Sequence, residues 1–180
     1  EARGVYVLGA PEILAEHLAE PIDLAAQAAD WTEAGLRVLL FAHAPDAVYL
    51  HDSKKQPVLP PLTPLGLVAF SDVLRPEARE TLAAFADAGI CLKVISGDNP
   101  QTVRALARQA GFPGDLEAVS GADLKAMTDA EFEQAAEKAT IFGRITPQQK
   151  ERLVEVLRGR GAYVAMIGDG VNDVLSLKTA

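Results

Sequence analysis

Downstream of residue 70, segments with an apolar residue every third or fourth position alternate with short runs of β-branched residues. The first pattern predicts amphipathic helices, the second predicts strands buried on both faces. Helices are predicted over 76–88, 100–110, 122–127, 129–139 and 147–158, and strands over 91–95, near 118–119, and over 140–143 and 163–167. Gly111 stands where a helix C-terminal glycine cap belongs. This alternation implies an α/β unit, a Rossmann-like parallel sheet flanked by helices. Upstream the pattern differs. It predicts a strand at 5–8, a helix from about residue 11, an amphipathic helix near 24–34 and strands at 36–43 and 47–50. A polar, proline-rich loop over 51–64 follows, then a strand at 66–71. The chain is therefore expected to divide into a small α+β part (1–70) and an α/β part (71–180), with no internal repeat.

A length of 180 residues holds one domain, or one domain and part of another. With 49% apolar and 23% charged residues, the composition is that of an ordinary globular protein. The net charge of −8 argues against a nucleic-acid partner and against docking on an anionic membrane. No apolar run approaches the roughly 20 residues that span a bilayer. No signal-peptide pattern opens the chain and its first residue is not Met, so its start is expected to be a cut in a longer protein. Cys91 is the sole cysteine; its strand-like surroundings predict a buried, inert thiol, in keeping with a reducing compartment. His17, His43 and His51 show no ligand spacing.

In parallel sheets, ligands bind beyond the carboxyl ends of the strands. Three predicted strands end in polar clusters: Ser96-Gly97-Asp98-Asn99 after 91–95, Arg144 and then Lys150 after 140–143, and Gly168-Asp169-Gly170 with Asn172-Asp173 after 163–167. Each has a bland reading by itself: a helix cap and turn, a surface lysine, a turn aspartate. Together they make one edge that suits a phosphate. The Ser96 hydroxyl and Gly97 backbone offer donors to an oxyanion, beside a helix that Asn99-Pro100 begins. Lys150 offers a compact positive charge, and Asp169 and Asp173 are hard oxygen ligands of the kind Mg²⁺ prefers. Phosphoryl transfer needs such a set, because its catalysis is mostly positioning and charge stabilisation. No predicted strand ends in an aspartate placed to attack phosphorus.

V-I-S-G-D-N-P-Q-T-V (94–103), F-G-R-I-T-P-Q-Q-K (142–150) and M-I-G-D-G-V-N-D-V-L-S-L-K (166–178) closely resemble the phosphorylation domain of P-type cation-transporting ATPases, members of the haloacid dehalogenase superfamily. F-S-D-V-L-R-P-E (70–77) resembles their hinge, and L-G-A-P-E (8–12) and G-L-R-V-L-L-F-A (35–42) resemble segments of their nucleotide-binding domain. The resemblance covers essentially the whole chain. It implies a haloacid dehalogenase-like fold over 71–180 and the C-terminal part of a nucleotide-binding domain over 1–70. It also implies roles. Ser96 and Gly97 would bind the transferred phosphoryl group and Asp98 would lie beside the nucleotide. Lys150 would neutralise phosphate charge. Asp169 would hold Mg²⁺, with Asn172 and Asp173 completing the phosphate and metal shell. Arg144, Asp72 and Arg75 would contact or position ATP at the hinge, and Arg37 would reach it from the first domain.

Leu8 replaces the family's lysine, and Val174-Leu175-Ser176 replaces the common A-P-A. The D-K-T-G-T motif, with the aspartate that accepts the phosphoryl group on a central strand of the sheet, is not in this chain. The resemblance thus implies a fragment from the cytoplasmic face of a membrane pump, inactive alone. Its partners would be ATP, the pump's other domains and transmembrane helices, and a cation this fragment does not bind. The alternatives are a soluble phosphatase of the same superfamily, with Asp23 or Asp30 as nucleophile, and a non-catalytic nucleotide-binding module.

Overall fold

The computed structural model describes residues 4–46, 50–51, 55–56, 58–168 and 170–180. The chain forms two compact units, Glu1–Asp72 and Val73–Ala180. In the first, β1 (Val5–Gly9), β2 (Arg37–Ala44) and β3 (Thr63–Phe70) make an antiparallel sheet in that order. Burial alternates along β2, as a strand with one covered face requires: Val38, Leu40, Ala42 and Ala44 are buried. Leu40, Ala42 and Ala44 pack with Leu14 of helix α1 (Pro11–Leu14), Leu24 of helix α2 (Leu24–Glu33) and Leu62. Tyr6 stacks on Phe41 and on His43, with ring centroids 5.6 and 4.2 Å apart. The strand expected at 47–50 falls mostly on 47–49, outside the described residues. β3 begins at Thr63, ahead of the expected residue 66.

The second unit is built on a parallel sheet of β4 (Val94–Ile95), β6 (Ile141–Gly143) and β5 (Ala118–Ser120), with β6 central. Successive residues of β6 face opposite sides. Phe142 packs with Val119, Leu124, Phe132, Ala136, Ala139, Ile145 and Leu153; Ile141 packs with Val103, Ala107 and Leu116. Burying each large side chain here is worth roughly 2 kcal/mol. The cover comes from α4 (Pro100–Ala110), α5 (Gly121–Ala126), α6 (Asp129–Lys138) and α7 (Pro147–Gly159); the unit also holds α3 (Ala78–Asp87) and α8 (Val174–Thr179), which packs on α7. Proline opens α4 and α7, where its missing N–H costs nothing, and Gly111 ends α4 at φ +77°. Three helices start with reciprocal caps: Ser120 with Asp123, Thr128 with Glu131, Thr146 with Gln149.

Two expectations are corrected. Residues 163–167 form no strand, and Tyr163 is fully exposed and Ile167 88% exposed. A two-faced apolar run becomes a strand only when it has a ladder to join. β4 pairs with β6 on one side alone, and residues 163–167 join no ladder. The strand expected at 91–95 shrinks to Val94–Ile95 at that same edge, which leaves Cys91 an exposed thiol. Helix α3 has no buried residue. Among the described residues, no helix is long and apolar enough to cross a membrane.

Candidate functional site

The site lies where β4 and β6 end. Ser96 leaves β4 with its N–H donating to Phe142 O (2.8 Å), and its carbonyl accepts from Ile145 N–H (3.1 Å). The next peptide is tied as well. Asp98 N–H donates to Ser96 Oγ (3.1 Å), and the Arg144 guanidinium donates to Gly97 O (3.0 Å). Asp98 O accepts from Arg144 N–H (2.8 Å). Asn99 then caps α4, its side chain accepting from Gln101 N–H at 2.9 Å. Gly143 lets α4 start this close to β6, since a Cβ there would sit 2.5 Å from the Pro100 backbone. Almost every polar main-chain group of the loop is thus engaged. The exceptions are the N–H groups of Gly97 and Asn99, for which no acceptor stands among the described residues. Gly97 is exposed, with open space where a side chain would stand. The half-buried Ser96 hydroxyl, accepting from Asp98, has its own proton to give. Two adjacent donors of this kind can receive an oxyanion.

A second cluster stands on the first turn of α7. Lys150 and Asp173 are both buried, each 8% exposed, and Lys150 Nζ lies 2.5 Å from Asp173 Oδ1. The other carboxylate oxygen accepts from Gly170 N–H at 3.2 Å. Asp173 N–H donates to Gly170 O (3.0 Å), and the buried Ser176 hydroxyl donates to Asp173 O (3.0 Å). Gly168 also lies against this carboxyl; a Cβ there would come within 2.7 Å of it. Desolvating two charges is costly, and a bonded array like this one offsets that cost. Asn172 is exposed on the 3-10 turn Val171–Asp173.

The structure therefore joins Ser96, Gly97 and Asp98 to Arg144, and Lys150 to Asp173. The link between the clusters is the β6–α7 turn, which carries Arg144 and Ile145 and leads into the helix of Lys150. Asp169 lies outside the described residues. Arg37 opens β2 opposite Phe70, and Asp72 ends the first unit; Arg75, exposed, belongs to the second. Leu8, 53% exposed, stands on β1. Asp23 caps α2, accepting from Ala26 N–H at 3.0 Å, and Asp30 lies within that helix, so neither stands at the end of a parallel strand.

Magnesium does not fit the described residues as they stand. No group of three His, Cys, Asp or Glu side chains converges among them, and both oxygens of Asp173 are already engaged. Three residues of the site escape the motif pattern. Gly121 packs against the Arg144 carbonyl, Gln149 Nε2 donates to Gly121 O (2.7 Å), and Ser176 holds Asp173. The contacts of Gly121 and Gln149 join distant segments, whereas that of Ser176 is local; the spacing of Thr146 and Gln149 also carries a local signal.

A family model described as haloacid dehalogenase-like hydrolase matches residues 1–180. The chain is 42% identical to the calcium-transporting ATPase CtpE of Mycobacterium tuberculosis over 180 residues, 98% of this chain and 21% of that protein. It is 37% identical to the probable cation-transporting ATPase exp7 of Streptococcus pneumoniae, over 100% of this chain and 22% of that protein. It is 42% identical to the cation-transporting ATPase pma1 of Synechocystis over 84% of this chain and 17% of that protein. The chain spans about a fifth of the length of these relatives. Its motifs, its parallel sheet with flanking helices and this full-length match agree: the chain belongs to the haloacid dehalogenase-like hydrolase family, in the stretch that it shares with cation-transporting ATPases.

Proposed function

We propose that this chain is a cytoplasmic portion of a P-type cation pump, and that its second unit receives the phosphoryl group that ATP transfers to an aspartate outside the chain. The first unit is then the C-terminal part of a nucleotide-binding domain, and the second a phosphorylation domain without its central strand. The observation that carries the reading is the Ser96–Gly97 pair at the carboxyl end of β4, where the exposed Gly97 keeps its N–H without an acceptor among the described residues and the Ser96 hydroxyl, accepting from Asp98 N–H, keeps a proton to donate. Lys150, held by Asp173, supplies positive charge on the adjoining helix. Asn172 lies next to Asp173 on the turn that follows. Asp98 and Arg144 border the loop where a nucleotide would enter, and Arg37, Asp72 and Arg75 contact ATP from the first unit and the hinge.

Asp169 is the residue of this chain that would hold magnesium, together with the aspartate outside the chain, and the ion would supply neutralisation of phosphoryl charge. Asp173 contributes by holding Lys150 and accepting from Gly170 N–H rather than as a free ligand. The transported cation and the membrane helices belong to the rest of the pump.

The test uses the ¹⁵N-labelled chain. Titration with inorganic phosphate and MgCl₂ should shift the amide signals of Ser96 and Gly97 first, and p-nitrophenyl phosphate should not be hydrolysed. Sustained magnesium-dependent turnover would replace the pump reading with a soluble phosphatase. A phosphate response centred elsewhere would remove the pocket altogether.

A further inference from the structure

We propose that Arg144 is a positioning residue, which locks the Gly97–Asp98 peptide and thereby holds the Ser96–Asp98 loop in its receptive shape. The inference rests on the reading of that loop as an oxyanion pocket, but its geometry is independent of any ligand. Arg144 sits at φ +53°, a region that residues with a Cβ seldom adopt. Glycine would fit that backbone better. What glycine lacks is the guanidinium that donates to Gly97 O at 3.0 Å.

The consequence runs through one peptide. The Gly97–Asp98 unit presents its carbonyl to Arg144 and its N–H to Ser96 Oγ. A peptide that follows glycine flips easily, because glycine tolerates both orientations. A flip here would break the bond to Ser96 Oγ. While Asp98 N–H occupies an acceptor position on that hydroxyl, the hydroxyl proton stays free to be donated to another acceptor. Arg144 thus acts on the donor pair without touching what the pair would bind.

Its own peptide is braced from the far side. Gly121, the first residue of α5, leaves no room for a Cβ beside the Arg144 carbonyl, and Gln149 of α7 donates to Gly121 O at 2.7 Å. The side chain of Gln149 also accepts from Thr146 N–H at 3.0 Å. The β4 loop, the start of α5 and the first turn of α7 therefore meet at one left-handed residue. Arg144 N–H adds the bond to Asp98 O, which any residue at this position would keep.

The test compares the parent chain with Arg144→Gly and Arg144→Lys by amide hydrogen exchange, with no ligand present. Arg144→Gly should melt at the same temperature or higher, while Asp98 N–H exchanges at least tenfold faster. Arg144→Lys, whose ammonium can donate to the same carbonyl, should keep Asp98 slower than in the glycine variant. In phosphate titrations Arg144→Gly should weaken the response of Gly97 at least threefold. Unchanged protection of Asp98 in Arg144→Gly would overturn the inference, and so would a failure of that variant to fold, which would make Arg144 a general stability residue. A parent chain that ignores phosphate yet loses Asp98 protection on substitution would instead overturn the pocket reading and leave the positioning role standing.

Discussion

Lys150 and Asp173 show how far a single residue's setting can depart from its local sequence. A lysine in the first turn of a helix is usually on the surface, yet this one is buried and bonded to a carboxylate 23 positions away. Removing one partner leaves the other charged and uncompensated, so Lys150→Met should cost about 3–5 kcal/mol. Urea denaturation measures this, and the double variant Lys150→Met/Asp173→Leu should lose clearly less than the sum of the single changes. Residues of this kind were legible only through their motif. Ser96 and Gly97 could be read from position, because small, polar residues at a strand's carboxyl end already suggest anion contact. Gly121 could not, since it matters through Arg144, a neighbour that folding brings near.

Among the elements, helices were the more legible. Pro100 and Gly111 punctuate α4 at both ends, so its bounds follow from the chain alone. Strands were less so: β-branched runs at 91–95 and 163–167 have the right composition, but a strand exists only with a ladder. Hydrogen exchange should show the difference. Val94 and Ser96 amides, which donate to Thr140 and Phe142, should be protected, whereas those of 163–168 should exchange at near-unprotected rates. Slow exchange across 163–168 would mean that this run has found a partner. The capped helices carry a pH signature. The Ser120 hydroxyl and N–H hold the Asp123 carboxyl below the usual carboxylate range, and the Thr128 N–H and hydroxyl do the same for Glu131. Groups whose folded values are depressed add stability above their unfolded values and lose it as pH falls through the folded ones. Melting temperature should therefore decline below roughly pH 4, and Asp123→Asn should flatten part of that decline.

At the scale of the molecule, the change of hydrophobic period near residue 70 was the informative signal, and two compact units meet at Asp72 and Val73. Residues 71–77 are exposed throughout, and no helix or strand begins before Ala78. Chymotrypsin at low ratio should cut first after Phe70 or Leu74, giving two fragments resolvable by mass spectrometry; first cuts inside β2 or β6 would contradict the division. The depth of the Lys150–Asp173 pair also sets what the surrounding medium can do to it. Buried charges feel little of the screening that dissolves surface pairs, so raising ionic strength should scarcely loosen this one. An anion approaching that ammonium must compete with a carboxylate already in place. If Lys150 has the proposed role, a doubly charged oxyanion would meet that competition better than chloride, and the ion pair would favour phosphate over univalent anions.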